Sequence, residues 1–147
     1  MREIKFRVYL DKMYYQNEYV EYDTNLAGID FLKKTATFAA YTDGEEADNL
    51  QKYSFDENNI LYKKDLKIMQ YTGLKDKNNK EIYEGDIVKL RANHGIGVVK
   101  YYDEWGAFVV EYIKPRPLSV LGINYYKEDI EILGNIYENP ELLGVKE

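Results

Sequence analysis

The sequence contains no cysteine, and this absence excludes several kinds of site at once. Without thiols the chain has no disulfide framework, no iron–sulfur cluster and no cysteine nucleophile. Its single histidine, His94, cannot by itself supply the three or four imidazole or thiolate ligands that a zinc site needs. We therefore expect no metal and no cofactor. A chain without cysteine also fits a reducing cytoplasm.

Long apolar runs are also missing. The longest stretch without a charged residue is 117–126, whereas a membrane-spanning helix needs roughly 18 apolar residues. Charged residues recur throughout residues 1–7, so we expect no apolar signal segment at the N-terminus. These two features predict a soluble, cytoplasmic protein with no membrane partner.

Tyrosine is the abundant residue: there are 16 tyrosines against five phenylalanines and one tryptophan. Tyrosine favours strands and tolerates half-burial with its hydroxyl in water. For any single tyrosine, cross-strand packing is the better interpretation, but the whole set predicts at least one exposed aromatic patch. The formal net charge of −6 disfavours nucleic acid as a partner without excluding it.

The N-terminal part indicates a β meander followed by a variable insert. Ile4, Phe6 and Val8 alternate with polar residues, which is typical of a half-buried strand, and further short strands are predicted up to residue 22. In the insert, residues 24–58, Asn25 could cap a short helix that continues to Lys34. A strand is predicted there at 36–41.

The remainder of the chain favours short strands separated by turns. Turn residues occur at regular spacing, a pattern typical of a small barrel or sandwich. We predict an N-terminal region over 1–65 and a C-terminal region over 66–147, with a single compact unit as the alternative. A helical turn is expected at 139–143, where Asn precedes Pro. The predicted strands of this part are 60–62, 66–70, 87–91, 96–102, 107–112 and 134–137.

Candidate catalytic groups are few. His94 lies in a turn beside glycine, which favours a solvated turn residue over a catalytic base. Two pairs of carboxylates, Glu84 with Asp86 and Asp103 with Glu104, could act as acid and base, but acids beside glycine are more often turn residues. The sequence therefore predicts no catalytic residue and no enzyme, with a carboxylate-dependent hydrolase as a remote alternative.

Residues 68–88, IMQYTGLKDKNNKEIYEGDIV, resemble the central signature of the YopX family, and residues 1–7 and 132–143 resemble its two ends. This family consists of small proteins encoded by phages and prophages of Gram-positive bacteria. The resemblance implies a mainly β fold whose C-terminal part is similar to a small SH3-like barrel, and it implies no established activity. Asn79 departs from the family pattern, which usually has glycine there, but asparagine also tolerates a left-handed backbone.

The role of the central motif is left open by the sequence. Gly73 and Gly85 are candidates for positive φ, so the motif either requires a demanding turn geometry or forms a surface that meets a partner. The motif positions are Tyr71, Thr72, Gly73, Lys75, Asp76, Ile82, Tyr83, Glu84, Gly85 and Asp86.

Two functional hypotheses follow. The first is a non-catalytic interaction module that binds a host or phage protein in the bacterial cytoplasm, through a tyrosine-bearing face around the central hairpin. The second is a nucleic-acid-associated small barrel that would use Lys89, Lys100, Tyr101 and Tyr102, because aromatic rings stack on bases and lysines contact phosphates. Self-association into a homo-oligomer is compatible with either hypothesis.

Overall fold

The computed structural model describes residues 3–10, 13–16, 24–42, 45–46, 50–114 and 116–144. Strands predominate in these residues, and the helical segments among them are short 3₁₀ turns, so the prediction of a mainly β fold is confirmed. The chain divides into two compact units. The N-terminal unit comprises residues 6–69, and residues 70–147 form the C-terminal unit together with the first five residues. The sequence had suggested a division after residue 65.

The described strands of the N-terminal unit pair antiparallel. They are β1 (Phe6–Leu10), β2 (Met13–Gln16), β3 (Thr24–Asp30), β4 (Thr35–Thr42), β5 (Glu45–Glu46) and β6 (Gln51–Ser54). β1 pairs with β2, and β4 pairs with β3, β5 and β6. Apolar side chains from these strands and from the segment before residue 67 form the core: Val8, Leu10, Leu26, Ala36, Phe38 and Leu66.

Residues 25–34 are not the short helix that Asn25 predicted. Residues up to Asp30 belong to β3, where Leu26 lies opposite Phe38 of β4 and both side chains are buried. The carboxylate of Asp30 then accepts two backbone N–H groups of the following turn, both at 3.0 Å. Burial of these apolar side chains across a hairpin outweighs a helix propensity that Gly28 already weakens.

The other N-terminal predictions have mixed outcomes. The strand predicted at 36–41 lies within β4 and is confirmed. The strand predicted at 60–62 is wrong, because Tyr62 makes only an isolated bridge to Ser54. The predicted strand near residues 19–22 lies outside the described residues.

The C-terminal unit contains a five-stranded antiparallel sheet and a hairpin. β7 (Lys67–Lys75) begins before the division between the units, and it pairs with β8 (Glu81–Tyr83) to form the hairpin of the central motif. The strands of the sheet are β9 (Asp86–Leu90), β10 (Ile96–Tyr102), β11 (Ala107–Tyr112), β12 (Ser119–Val120) and β13 (Ile130–Asn135). Their order in the sheet is β12–β11–β10–β9–β13.

One face of this sheet carries the core of the C-terminal unit. Its buried members include Val88, Leu90, Val99, Val110 and Tyr112, which alternate along three neighbouring strands. β10 and β11 have the predicted bounds, whereas the last strand begins at Ile130 and overlaps the predicted 134–137 only at residues 134–135. The sheet is compatible with an SH3-like barrel, which stays a prediction.

The 3₁₀ turn at Pro140–Leu143 confirms the helical turn predicted at the C-terminus.

Gly97 lets β10 and β11 approach closely, because a Cβ atom at this position would lie only 2.9 Å from the carbonyl oxygen of Glu111. Within the described part of the chain, no helix is long and apolar enough to cross a membrane.

Candidate interaction surface

Asp76 has a structural role in the central motif, because its side chain accepts three backbone hydrogen bonds. Its side chain is fully buried, and Oδ1 accepts the backbone N–H groups of Asn78 and Lys80, each at 2.9 Å. Oδ2 accepts the N–H of Ile132 in β13 at 3.0 Å. Asp76 therefore closes the turn after β7 and joins that turn to the last strand of the sheet.

Three motif positions have the positive φ angles that such turns require. Gly73 has φ of +88° and Gly85 has φ of +83°, as the sequence predicted. Asn79 has φ of +66°, so the residue that departs from the family pattern adopts the left-handed conformation that glycine would supply. The turn geometry of the motif is therefore demanding.

Tyr71 and Tyr83 face inward. Both are buried, their ring centroids lie 5.5 Å apart, and burial raises the pKa of Tyr71. Lys5 lies over the Tyr71 ring at 4.8 Å and forms an ion pair with Glu81. The hydroxyl of Thr72 donates to the carbonyl of Ile82, which is fully buried. The central hairpin therefore does not expose the tyrosine face on which the first hypothesis relied.

The acids of the motif hold backbone groups. Asp86 is buried and accepts the N–H of Tyr83 at 2.8 Å, while Glu84 accepts the N–H of Gln70 at 3.0 Å. Of the motif residues with charged side chains, Lys75 is exposed. No group of three or more histidine and acidic side chains in the described residues could hold a metal ion.

His94 is half-buried rather than solvated. It ends a 3₁₀ turn after β9, and its Nδ1 lies 2.8 Å from the hydroxyl of Tyr125. Tyr125 also bonds the hydroxyl of Tyr112, which in turn lies 2.7 Å from the hydroxyl of Ser119. Burial, followed by the hydrogen bond to Tyr112, raises the pKa of Tyr125 to about 12. We call these four side chains the polar chain.

Two pairs of aromatic rings lie instead at the end of β10 and β11, with Tyr101 and Phe108 on one face of the sheet and Tyr102 on the other. The ring of Tyr101 packs edge-on against Phe108 at 5.2 Å, and Tyr102 packs edge-on against Trp105 at 4.9 Å. Tyr101 and Trp105 remain 45% and 53% exposed. We call these four residues the aromatic loop. Its existence agrees with the tyrosine-rich composition, although the sequence did not single out Phe108 or the Trp105 ring.

The aromatic loop has an acidic edge. Asp103 and Glu104 form the turn between the two strands, and both are exposed. Glu104 accepts a hydrogen bond from the Tyr102 hydroxyl at 3.1 Å. The single tryptophan directly after two acids was the sequence signal that could have identified this surface.

The residues predicted for a nucleic-acid face are not all brought together. Alternation along β10 places Lys100 and Tyr102 on one face of the sheet, and the register with β9 adds Lys89 to it. Tyr101 lies on the opposite face of the strand. Lys100 also forms an ion pair with Glu111 at 3.0 Å. The basic character of this face is therefore partly neutralised.

The molecule is thus a mainly β protein of two units, with exposed aromatic rings at the end of β10 and β11. The YopX family model matches residues 5–144, and the chain belongs to this family. A search of curated proteins finds no match.

Two solved structures are similar over nearly their whole length. Protein EF1440 from Enterococcus faecalis is 26% identical with a TM-score of 0.58, and the match covers 97% of this chain and 99% of that one. Protein yopX from Bacillus subtilis is 22% identical with a TM-score of 0.58, and the match covers 94% and 96% of the two chains. The second likeness supports the fold alone.

Proposed function

We propose that this chain is a non-catalytic interaction module whose contact surface is the aromatic loop. One observation carries the proposal. The rings of Tyr101 and Trp105 are exposed to solvent, and each is already packed against a neighbouring ring. Rings held in this way lose little conformational freedom on binding, and Tyr and Trp are enriched at the energetic centres of protein interfaces.

The charge beside the loop suggests the chemistry of its partner. Asp103 and Glu104 place two carboxylates next to Trp105, in a chain of net charge −6. A phosphate backbone would be repelled here, whereas a protein segment with apolar side chains flanked by Lys or Arg would be complementary. This contrast favours a protein partner over nucleic acid.

The biological setting belongs to the same proposal. Membership of the YopX family, together with the resemblance noted in the sequence, supports a phage or prophage protein that acts in the cytoplasm of a bacterial host. The partner would be a host or phage protein, and a second copy of this chain is the alternative occupant of the surface.

Capture from a lysate tests the proposal. Tagged wild-type protein and the double variant Tyr101→Ala/Trp105→Ala are incubated with untreated and nuclease-treated lysate of a Gram-positive host, and bound proteins are quantified. We expect one stoichiometric protein whose recovery falls at least about tenfold with the double variant, since truncation of interface centres costs about 2 kcal/mol or more. Tyr62→Ala, which removes another exposed ring, is the matched control and should retain the partner.

Three outcomes would contradict the proposal. Retention of the partner by the double variant would place the interface elsewhere. Loss of every partner after nuclease treatment would favour the nucleic-acid hypothesis. A change of oligomeric state in the double variant, measured by light scattering and without a captured protein, would identify a second copy as the occupant. Circular dichroism confirms that each variant is folded.

A further inference from the structure

A groove lies in the C-terminal unit at the other end of β10 and β11 from the aromatic loop. Residues 93–96, 112–114 and 116 line it, and its volume is about 390 Å³. That size falls within the range of about 300–1,000 Å³ typical of small-molecule sites. The register pairs Gly97 with Tyr112 at this end and Tyr102 with Ala107 at the end that carries the aromatic loop.

Apolar side chains supply much of the groove lining. Ile96, Tyr112 and Ile113 contribute to it, and Tyr112 also belongs to the core. Gly95, which links His94 to Ile96, also lines the groove. It has φ of +87° and ψ of −154°, a conformation essentially restricted to glycine. Apolar walls of this kind suit the flat or aliphatic body of an organic ligand.

A guanidinium group is held at the groove. Arg116 lies over the Tyr112 ring with 4.7 Å between its Cζ and the ring centroid, and its Nη1 donates to the carbonyl of His94 at 3.3 Å. One N–H of the guanidinium is used in this contact, and the group has five. A guanidinium fixed by stacking and by one hydrogen bond presents its other donors without much further loss of side-chain entropy.

The local charge of the groove is opposite to that of the chain. Arg116 and the exposed Lys114 contribute two positive charges, and none of the described residues that line the groove is acidic. The whole chain carries −6. A cationic groove on an acidic protein attracts anions locally, and guanidinium groups match the geometry of carboxylate and phosphate oxygens.

The polar chain holds two further side chains of the groove lining, His94 and Tyr112. His94 is joined through Tyr125 and Tyr112 to Ser119, and every hydroxyl in this series can donate one hydrogen bond and accept another. When the hydroxyls donate toward His94, Nδ1 accepts and Nε2 carries the hydrogen. This direction makes the ring a further donor for an anion.

We propose that this groove binds a small organic anion, with a carboxylate or phosphate head on Arg116 and Lys114 and an apolar body against Ile96, Tyr112 and Ile113. The site goes beyond the interaction function proposed above and does not depend on it. The groove also differs from the aromatic loop: it is positively charged, whereas the loop has an acidic edge, and it lies at the other end of β10 and β11.

Titration of the ¹⁵N-labelled full chain by NMR tests the proposal. The probes are phenyl phosphate and phenylacetate, and phenylacetamide is the neutral counterpart of the second. We expect saturable shifts at the amides of Gly95, Ile96 and Ile113 with at least one anionic probe. We also expect binding of phenylacetamide to be at least tenfold weaker than that of the better anion. The ratio between phenyl phosphate and phenylacetate identifies the preferred head group.

Matched variants assign the binding to the groove. Arg116→Gln should weaken binding of the better probe at least tenfold. Lys100→Gln removes the same charge from another part of the unit and should change it less than twofold. The variant Tyr101→Ala/Trp105→Ala should bind the probe as wild type does, which separates this proposal from the interaction function.

Several results would overturn the proposal: no saturable shift at the groove amides, equal binding of phenylacetamide, or equal losses in Arg116→Gln and Lys100→Gln. The last result would indicate non-specific attraction. Arg116 is exposed, so we expect its variant to remain folded, and the dispersion of the amide spectrum verifies this in the same experiment.

Discussion

At the scale of single residues, Asp76 is the clearest case in which a motif position serves the fold. One carboxylate accepts three backbone N–H groups, and two of them belong to its own turn. The third, at Ile132, lies 56 residues further along the chain. A buried carboxylate of this kind is stabilised by its donors, and its removal leaves those donors without a partner in the interior.

We predict that Asp76→Ala lowers the free energy of unfolding by about 2–4 kcal/mol, because unpaired buried donors cost about 1–3 kcal/mol each and part of this turn can rehydrate. Asp76→Asn should cost less, since its amide oxygen still accepts while its NH₂ group cannot receive the Ile132 N–H. Urea unfolding followed by Trp105 fluorescence measures both changes.

Glu138→Ala is the matched control for Asp76. It removes an exposed acid from the same unit and should change the stability by no more than about 0.5 kcal/mol. A loss below about 1 kcal/mol for Asp76→Ala would show that the three hydrogen bonds are not needed for stability. The motif would then have to be explained by binding.

At the scale of elements, sequence patterns predicted what is local. The bounds 96–102 and 107–112 were predicted correctly because alternating residues and a turn with glycine lie within a few positions of each other. Contacts between distant segments were not predictable in this way. His94 was expected to be solvated from its neighbours Asn93 and Gly95, but its hydrogen-bond partner is 31 residues away. The helix expected after Asn25 failed for a different reason, because pairing with β4 in a local hairpin outweighs the helix propensity of this segment.

The polar chain connects several elements of the C-terminal unit. Tyr112 lies in β11, Ser119 in β12, His94 in the 3₁₀ turn after β9, and Tyr125 in the loop before β13. Because Tyr112 and Tyr125 are buried and bonded to each other, removal of one hydroxyl leaves the other without this partner. The two side chains should therefore contribute to stability as a pair.

We predict that Tyr112→Phe and Tyr125→Phe are non-additive. Each single variant should lower the free energy of unfolding by about 1–3 kcal/mol. The loss in the double variant should be smaller than the sum of the two single losses by about 1 kcal/mol or more. Urea unfolding of the four proteins measures this coupling. Tyr112→Phe combined with Tyr102→Phe, whose hydroxyl bonds the exposed Glu104, should be additive within about 0.5 kcal/mol. Additivity in both pairs would contradict a cooperative chain.

At the scale of the whole molecule, buried tyrosines make stability sensitive to alkaline pH. Burial raises the pKa of Tyr71, Tyr125 and Tyr137 above the ordinary value of 10.0, and that of Tyr125 reaches about 12. In the unfolded chain these phenols lose their protons near pH 10, while the folded protein still holds them. The folded state therefore binds more protons between about pH 10 and pH 12, so the free energy of unfolding decreases as the pH rises through this interval.

We predict that the urea midpoint, followed by circular dichroism, is nearly constant up to pH 9 and then falls steadily to pH 11.5. Each phenol that stays protonated only in the folded state adds a slope of at most about 1.4 kcal/mol per pH unit. Tyr125→Phe removes one such phenol, so its stability should fall less steeply than that of wild type above pH 10. Tyr62→Phe removes an exposed phenol and is the matched control. An identical slope for Tyr125→Phe and wild type would show that the Tyr125 hydroxyl is not held protonated by the fold.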